Sequence, residues 1–379
     1  MNRWKNTGLA VLMMITFIGC TEIYIPDVNS GTSALVVEGL ITDGSGPFTV
    51  KLTEALPYSS DSVLDSRTVT GAKLKVTDSE NKTVELTEAG NGVYSLPAVF
   101  KSRVGNSYKL HIETTDGNIF ESSAEKLLPA QTYDSIRGVN DTQKYIDKNN
   151  FTRLVEGTDP RVDLFKSVTP SDQPTLCRFK SDITVQYSFN YNLPDTTNWH
   201  WVCFGWEGFR LTTNENITAD NSLSATPVIL NHSLGFVPIG TLNYGFPTNE
   251  SASIYYYLRI SQYTVTKDAY KYYQDANNQL AASGKIFDPV TSQLYGNMKC
   301  LNNPTKIVLG LFEVSSVIQT AFVLDAVPFG KKPNLIQVPY VDILKSGLFR
   351  YKVWDALPSK KPSSNEYIVI PLPDWWFHY

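Results

Sequence analysis

Few side chains in this 379-residue chain stand at the spacings that catalysis or metal binding requires. The four histidines, His111, His200, His232 and His378, are scattered. No two form H-x-x-x-H and no C-x-x-C is present, so a zinc site has no support in the pattern. Neither a G-x-S-x-G nucleophile elbow nor a phosphate-cradling G-x-x-x-x-G-K-S/T loop occurs. Carboxylates paired for glycoside hydrolysis must sit about 5 to 10 Å apart in space, a condition that 37 acidic residues leave open. Asp27, Glu38 and Asp43 lack the spacing of a calcium loop and read as a solvated face. The expectation is therefore a chain with no catalytic residues, no metal and no cofactor, apart from a lipid carried covalently on Cys20.

Cysteines and aromatic rings carry the remaining chemistry. Leaving Cys20 aside, Cys177, Cys203 and Cys300 allow one disulfide and one free thiol. Cys177 and Cys203 flank one predicted strand and the start of the next, and are the preferred pair. Three buried free thiols acting as small hydrophobes are the alternative. Aromatic residues are abundant, with 21 Tyr, 18 Phe and 7 Trp, which favours β-structure and contact surfaces. Trp199 and Trp201 alternate with Phe204 and Trp206 along one predicted strand, as core packing or as a platform for a ligand or partner. The end of the chain, Trp375-Trp376-Phe377-His378-Tyr379, is unusually ring-rich for a terminus. These rings dock either on the protein itself or on another protein.

The elements that must position these residues are mostly strands. Residues 20–34 read as a tether. Seven short stretches between Leu35 and Ser122, alternating apolar and polar and separated by Asn/Asp/Gly turns, predict an antiparallel sandwich over 35–128. A larger β-rich domain is expected over 129–379, with strands at 162–165, 183–191, 199–211, 254–260, 306–312 and 315–324. Residues 135–150 read as polar and turn-prone. Between Thr266 and Ser283 the apolar residues recur three and four apart, predicting one helix with Thr266 as N-cap and Gly284 as its stop. The net charge of −4 and the absence of any Lys/Arg block exclude a nucleic-acid footprint.

Residues 1–19 form the address. Arg3 and Lys5 precede an apolar run from Leu9 to Ile18. That run is shorter than the roughly 20 residues a membrane-spanning helix needs but fits a secretory signal. Thr16-Phe17-Ile18-Gly19-Cys20 resembles a bacterial lipobox, with Thr16 where leucine is commoner, so cleavage before Cys20 and lipidation of its thiol are expected.

Several segments together resemble one family. These are the signal ending at Cys20, Val36-Val37-Glu38-Gly39, Gly284-Lys285-Ile286-Phe287-Asp288-Pro289, Gly296 to Pro304, and Val308 to Val317. They are similar to the Bacteroidota lipoproteins of domain-of-unknown-function family 4249, and the first module is similar to transthyretin-like or carboxypeptidase-regulatory-like modules. The resemblance implies an outer-membrane lipoprotein, often encoded beside a TonB-dependent transporter, and implies no reaction. Further cysteines common near the end of such proteins are missing after Cys300. An accessory or interaction protein exposed at the cell surface is the resulting expectation, with a glycan- or peptide-binding lipoprotein as the alternative.

Overall fold

The structure, a computed structural model, describes residues 33–55, 67–146, 149–164, 174–192, 200–211, 214–220, 229–238, 253–281, 294–324 and 335–338. Alternation of β-branched or aromatic residues with polar ones makes it mainly β. The first strands are β1 (Ala34–Thr42), β2 (Thr49–Ala55), β3 (Arg67–Thr68), β4 (Lys73–Asp78), β5 (Thr83–Gly90), β6 (Val93–Ser95), β7 (Ser107–Glu113), β8 (Ile119–Ser122) and β9 (Glu125–Lys126). Then come β10 (Ser135–Ile146), β11 (Thr152–Leu164), β12 (Thr175–Asn192), β13 (His200–Arg210), β14 (Asn216–Asp220), β15 (Ile229–Ser233), β16 (Val237–Pro238) and β17 (Ser253–Thr264). Helix α1 (Lys267–Ala281) precedes β18 (Met298–Cys300), β19 (Val308–Leu324) and β20 (Leu335–Val338).

All seven strands expected in the first unit are present, with β3 and β9 added. The sheet folds over at β5, whose Val84 pairs with Val76 of β4 and whose Glu88 pairs with Tyr94 of β6. One core results, built from Val37, Leu52, Tyr94, Leu110, Ile112 and Phe120. Buried Tyr94 keeps its hydroxyl satisfied: it donates to Val69 O at 2.9 Å and accepts from Ala72 N at 3.1 Å.

In the second unit β12, β17 and β19 lie side by side and antiparallel. A smaller sheet of β10, β11, β15 and β16 packs on one face, where Val162, Leu164, Phe179, Ile183, Leu258 and Phe322 meet. Helix α1 covers the other face through Ala269, Tyr272 and Tyr273 against Leu176, Tyr263 and Leu311. Thr266 is its N-cap, accepting from Ala269 N at 3.3 Å; Gly284 lies outside the described residues.

Three findings depart from the sequence reading. The strands expected at 306–312 and 315–324 are one continuous strand, β19. The stretch 135–146, read as turn-prone, is strand β10, paired with β11 from end to end. The expected boundary at residue 128 does not close the first unit either. β1 pairs in parallel with β19 from Leu35–Val308 to Thr42–Ser315, and β18 pairs with β8. Phe312, Val314 and Met298 thus lie in the first core, whereas Phe322 and Leu324 lie in the second. β19 is a spine shared by both.

Candidate functional site

The most elaborate polar arrangement sits behind that spine. Arg178 projects from β12, opposite Ile217 of β14 and Tyr263 of β17, and Glu313 projects from β19. Alternation explains the meeting: Phe179 and Phe312 point into the cores, so their neighbours Arg178 and Glu313 face α1. One guanidinium nitrogen donates to both Glu313 carboxylate oxygens, at 3.0 and 2.9 Å. Tyr263 and Tyr273 cover the guanidinium at 4.3 and 4.6 Å from their ring centres. The Tyr273 hydroxyl donates to Glu313, Ser315 Oγ donates to it at 2.6 Å, and Glu215 stands 3.6 Å from Arg178.

This site is closed. The Arg178 and Glu313 side chains are 8% and 2% exposed. Burial by itself would lower the Arg178 pKa, yet the Glu313 carboxylate, with Tyr273, Tyr263 and Glu215, carries it above the ordinary arginine value. Burial and then Glu313 raise Tyr273 well above its own. A guanidinium kept charged by its carboxylate and a phenol that holds its proton are poorly suited to exchange protons with a substrate near neutral pH; Arg178 Nε is buried there without a hydrogen-bond partner. The arrangement works as a joint that locks β12, β17, β19 and α1 together. A second joint lies nearby: buried Glu125 accepts from Thr266 Oγ1 at 2.7 Å, Asn297 Nδ2 at 2.9 Å and Ser123 Oγ at 3.0 Å.

Both joints escaped the sequence reading because their members lie far apart along the chain, 135 residues for Arg178 and Glu313. One signal was present. Glu313 interrupts the apolar run Val308-Leu309-Gly310-Leu311-Phe312, and a carboxylate buried in such a strand requires a cation.

The candidate residues from the sequence fare as follows. Trp201 and Trp206 lie on β13, at the end of the large sheet, with backbones opposite Tyr191 and Gln186. Cys20, Trp199, Trp375, Trp376, Phe377 and Tyr379 lie outside the described residues. The pairing of Cys177 with Cys203 is corrected. Cys177 is a free, buried thiol opposite Thr264, and Cys203 lies opposite Phe189. At roughly 3.3 Å per residue along β12, that register separates them by about 40 Å, several times disulfide reach. Burial pushes the Cys177 thiol up to about 12, a faint bond from Gln262 opposing it. Among the described residues no group of three or more His, Cys, Asp or Glu could hold a metal ion.

Fold and joints together define a class by architecture rather than by reaction: a two-unit β-protein sewn along one shared strand. A family model described as Domain of unknown function (DUF4249) matches residues 21–321, and the chain belongs to that family. No curated protein matches the chain.

Of the residues behind the resemblance, those described in 296–297 and 308–317 form the seam, whereas Cys20 and 284–289 lie outside the described residues. A Cβ on Gly296 would stand 1.4 Å from Gly310 O, and one on Gly310 (φ 88°) would stand 2.0 Å from Val37 O. The Asn297 side chain pairs with the Phe312 backbone at both its N–H and its C=O, at 3.0 and 2.8 Å. Ser316 donates to Leu128 O.

Proposed function

We propose that the chain is an exported lipoprotein, anchored in the outer membrane through lipid on Cys20 and facing the cell surface. There it acts as an accessory subunit of a TonB-dependent transporter or nutrient-uptake complex and carries out no reaction of its own. One observation carries this reading. The β10–β11 hairpin runs out beyond the core, with Asn140–Lys144 and Thr152–Leu154 exposed, and Ile146, Phe151 and Leu154 are 69%, 61% and 63% exposed near its turn. Three large apolar side chains gathered in water on one projection suit a protein contact.

The entry point of the tether supports the same reading. β1 starts level with Val308, and the second unit is built on β19 from Ser316 onward. On this reading the first unit serves as a spacer between the lipid and the hairpin-bearing unit.

The test is an affinity pull-down of the tagged, lipidated chain from solubilised outer membranes, analysed by mass spectrometry. Stoichiometric recovery of a TonB-dependent transporter is expected, and it should be lost when Ile146, Phe151 and Leu154 are all replaced by serine. Recovery of the chain alone would overturn the accessory role and turn attention to glycans and peptides at Trp199, Trp201 and Trp206. A complex that survives the serine variant, but not removal of Trp375–Tyr379, would move the contact to the tail.

A further inference from the structure

A cleft of about 290 Å3 opens at the edge of the first unit, between the β4–β5 turn and the loop joining β6 to β7. Val76, Val84 and Phe100 give it apolar walls, and Tyr108 lines it as well. Tyr108 is only 2% exposed, and its hydroxyl accepts from Arg103 N at 2.6 Å. The hydroxyl proton itself has no acceptor among the described residues, although a buried O–H ordinarily finds one. The charges around the opening are unequally engaged. Asp78 Oδ1 is held by the N–H groups of Glu80 and Lys82, both at 2.9 Å, and Glu80 faces Arg103 at 3.6 Å. Lys82 and Lys101, one on each wall, have no ion pair among the described residues.

We infer that this cleft binds small carboxylates with a compact apolar body, the carboxylate taking the Tyr108 proton in a hydrogen bond between Lys82 and Lys101. The apolar remainder lies against Val76, Val84 and Phe100. With Lys82, Lys101 and Arg103 against Asp78 and Glu80, the lining carries one more positive than negative charge and favours an anion over a neutral ligand, and the volume favours a short chain. The inference stands apart from the interaction role, because the cleft lies on the spacer unit and shares no residue with the hairpin.

Calorimetric titration of the full chain in lipid nanodiscs tests it, with the heat of empty nanodiscs subtracted. The probe is 4-methylpentanoate and the control is its amide. The acid should bind, and the amide should bind about tenfold more weakly, the weight of one charge-assisted hydrogen bond. Tyr108→Phe should weaken the acid by a similar factor and the amide less, because the amide carbonyl accepts only a neutral hydrogen bond from that hydroxyl. Lys101→Ala alters an exposed residue, so the fold stays intact; it should weaken the acid a few-fold, more at low salt. Absence of binding, equal binding of acid and amide, or an unchanged affinity in both variants would each overturn the proposal.

Discussion

At the scale of single residues, the enclosed pair of Arg178 and Glu313 makes the sharpest claims. Removing one member leaves a bare charge in the interior, a loss of about 3 to 5 kcal/mol. Urea unfolding of Glu313→Gln should register a loss of that size. The double variant Arg178→Met, Glu313→Leu should lose far less than the two single changes summed, because neither charge is then stranded. Cys177 offers a chemical check. With its thiol buried and its pKa pushed up to about 12, iodoacetamide near pH 8 should leave Cys177 unlabelled in the native chain and label it in urea. Native labelling at Cys177, read by peptide mapping, would contradict the packing of the second core.

Asp163 supplies the pH dependence. Its burial raises the carboxyl pKa, but the Asn231 N–H, Ser135 and Arg137 outweigh that and hold it below the usual aspartate range. A folded pKa below the unfolded one stabilises the protein above the unfolded value near 3.9, and the gain disappears as pH falls through the folded value. The stability gap between wild type and Asp163→Asn should therefore be full at about pH 6 and close below about pH 4, as followed by denaturant midpoints.

At the scale of elements, the seam between β1 and β19 depends on a glycine where no other residue fits. Gly310 combines φ 88° with a Cβ position 2.0 Å from Val37 O. Gly310→Ala should cost about 2 kcal/mol or more, from the left-handed backbone and the forced separation of the strands. Alternation made the seven strands of the first unit legible in the sequence, since one face of each is buried. β10 was illegible for the opposite reason. Its outer half has water on both faces, so Asn140-Asp141-Thr142-Gln143-Lys144 carries no pattern and resembles a loop. The helix was legible from its three-and-four spacing and from Thr266. Its partners were not, because Tyr273 and Glu313 meet only through the long-range antiparallel pairing of β17 with β19, which no local pattern encodes. The site was less legible than the fold. The candidate rings were chosen by composition, whereas the joints depend on pairings across more than a hundred residues.

At the scale of the whole molecule, the two units share β19, and their folding should be coupled through it. A fragment of residues 35–128 lacks Phe312, Val314 and Met298 from its core and leaves one edge of β1 bare. Such a fragment should give a disordered amide spectrum, whereas the full chain gives a dispersed one; a folded fragment would show the spine to be dispensable. Cys20→Ala probes the anchor: the variant should move to the soluble fraction, and continued membrane association would remove the lipid from the picture. The spine also fixes an order of events during biosynthesis. Ser33, at the mouth of β1, is reached by Lys306 across 273 residues of sequence. On the proposed export route, β1 crosses the inner membrane that many residues ahead of Lys306 and waits there for β19. Throughout that interval β1 has β2 on one side and an open ladder on the other, the condition that invites mispairing with a neighbouring exported chain. A holding chaperone active in that window would raise the yield more than any gain in final stability.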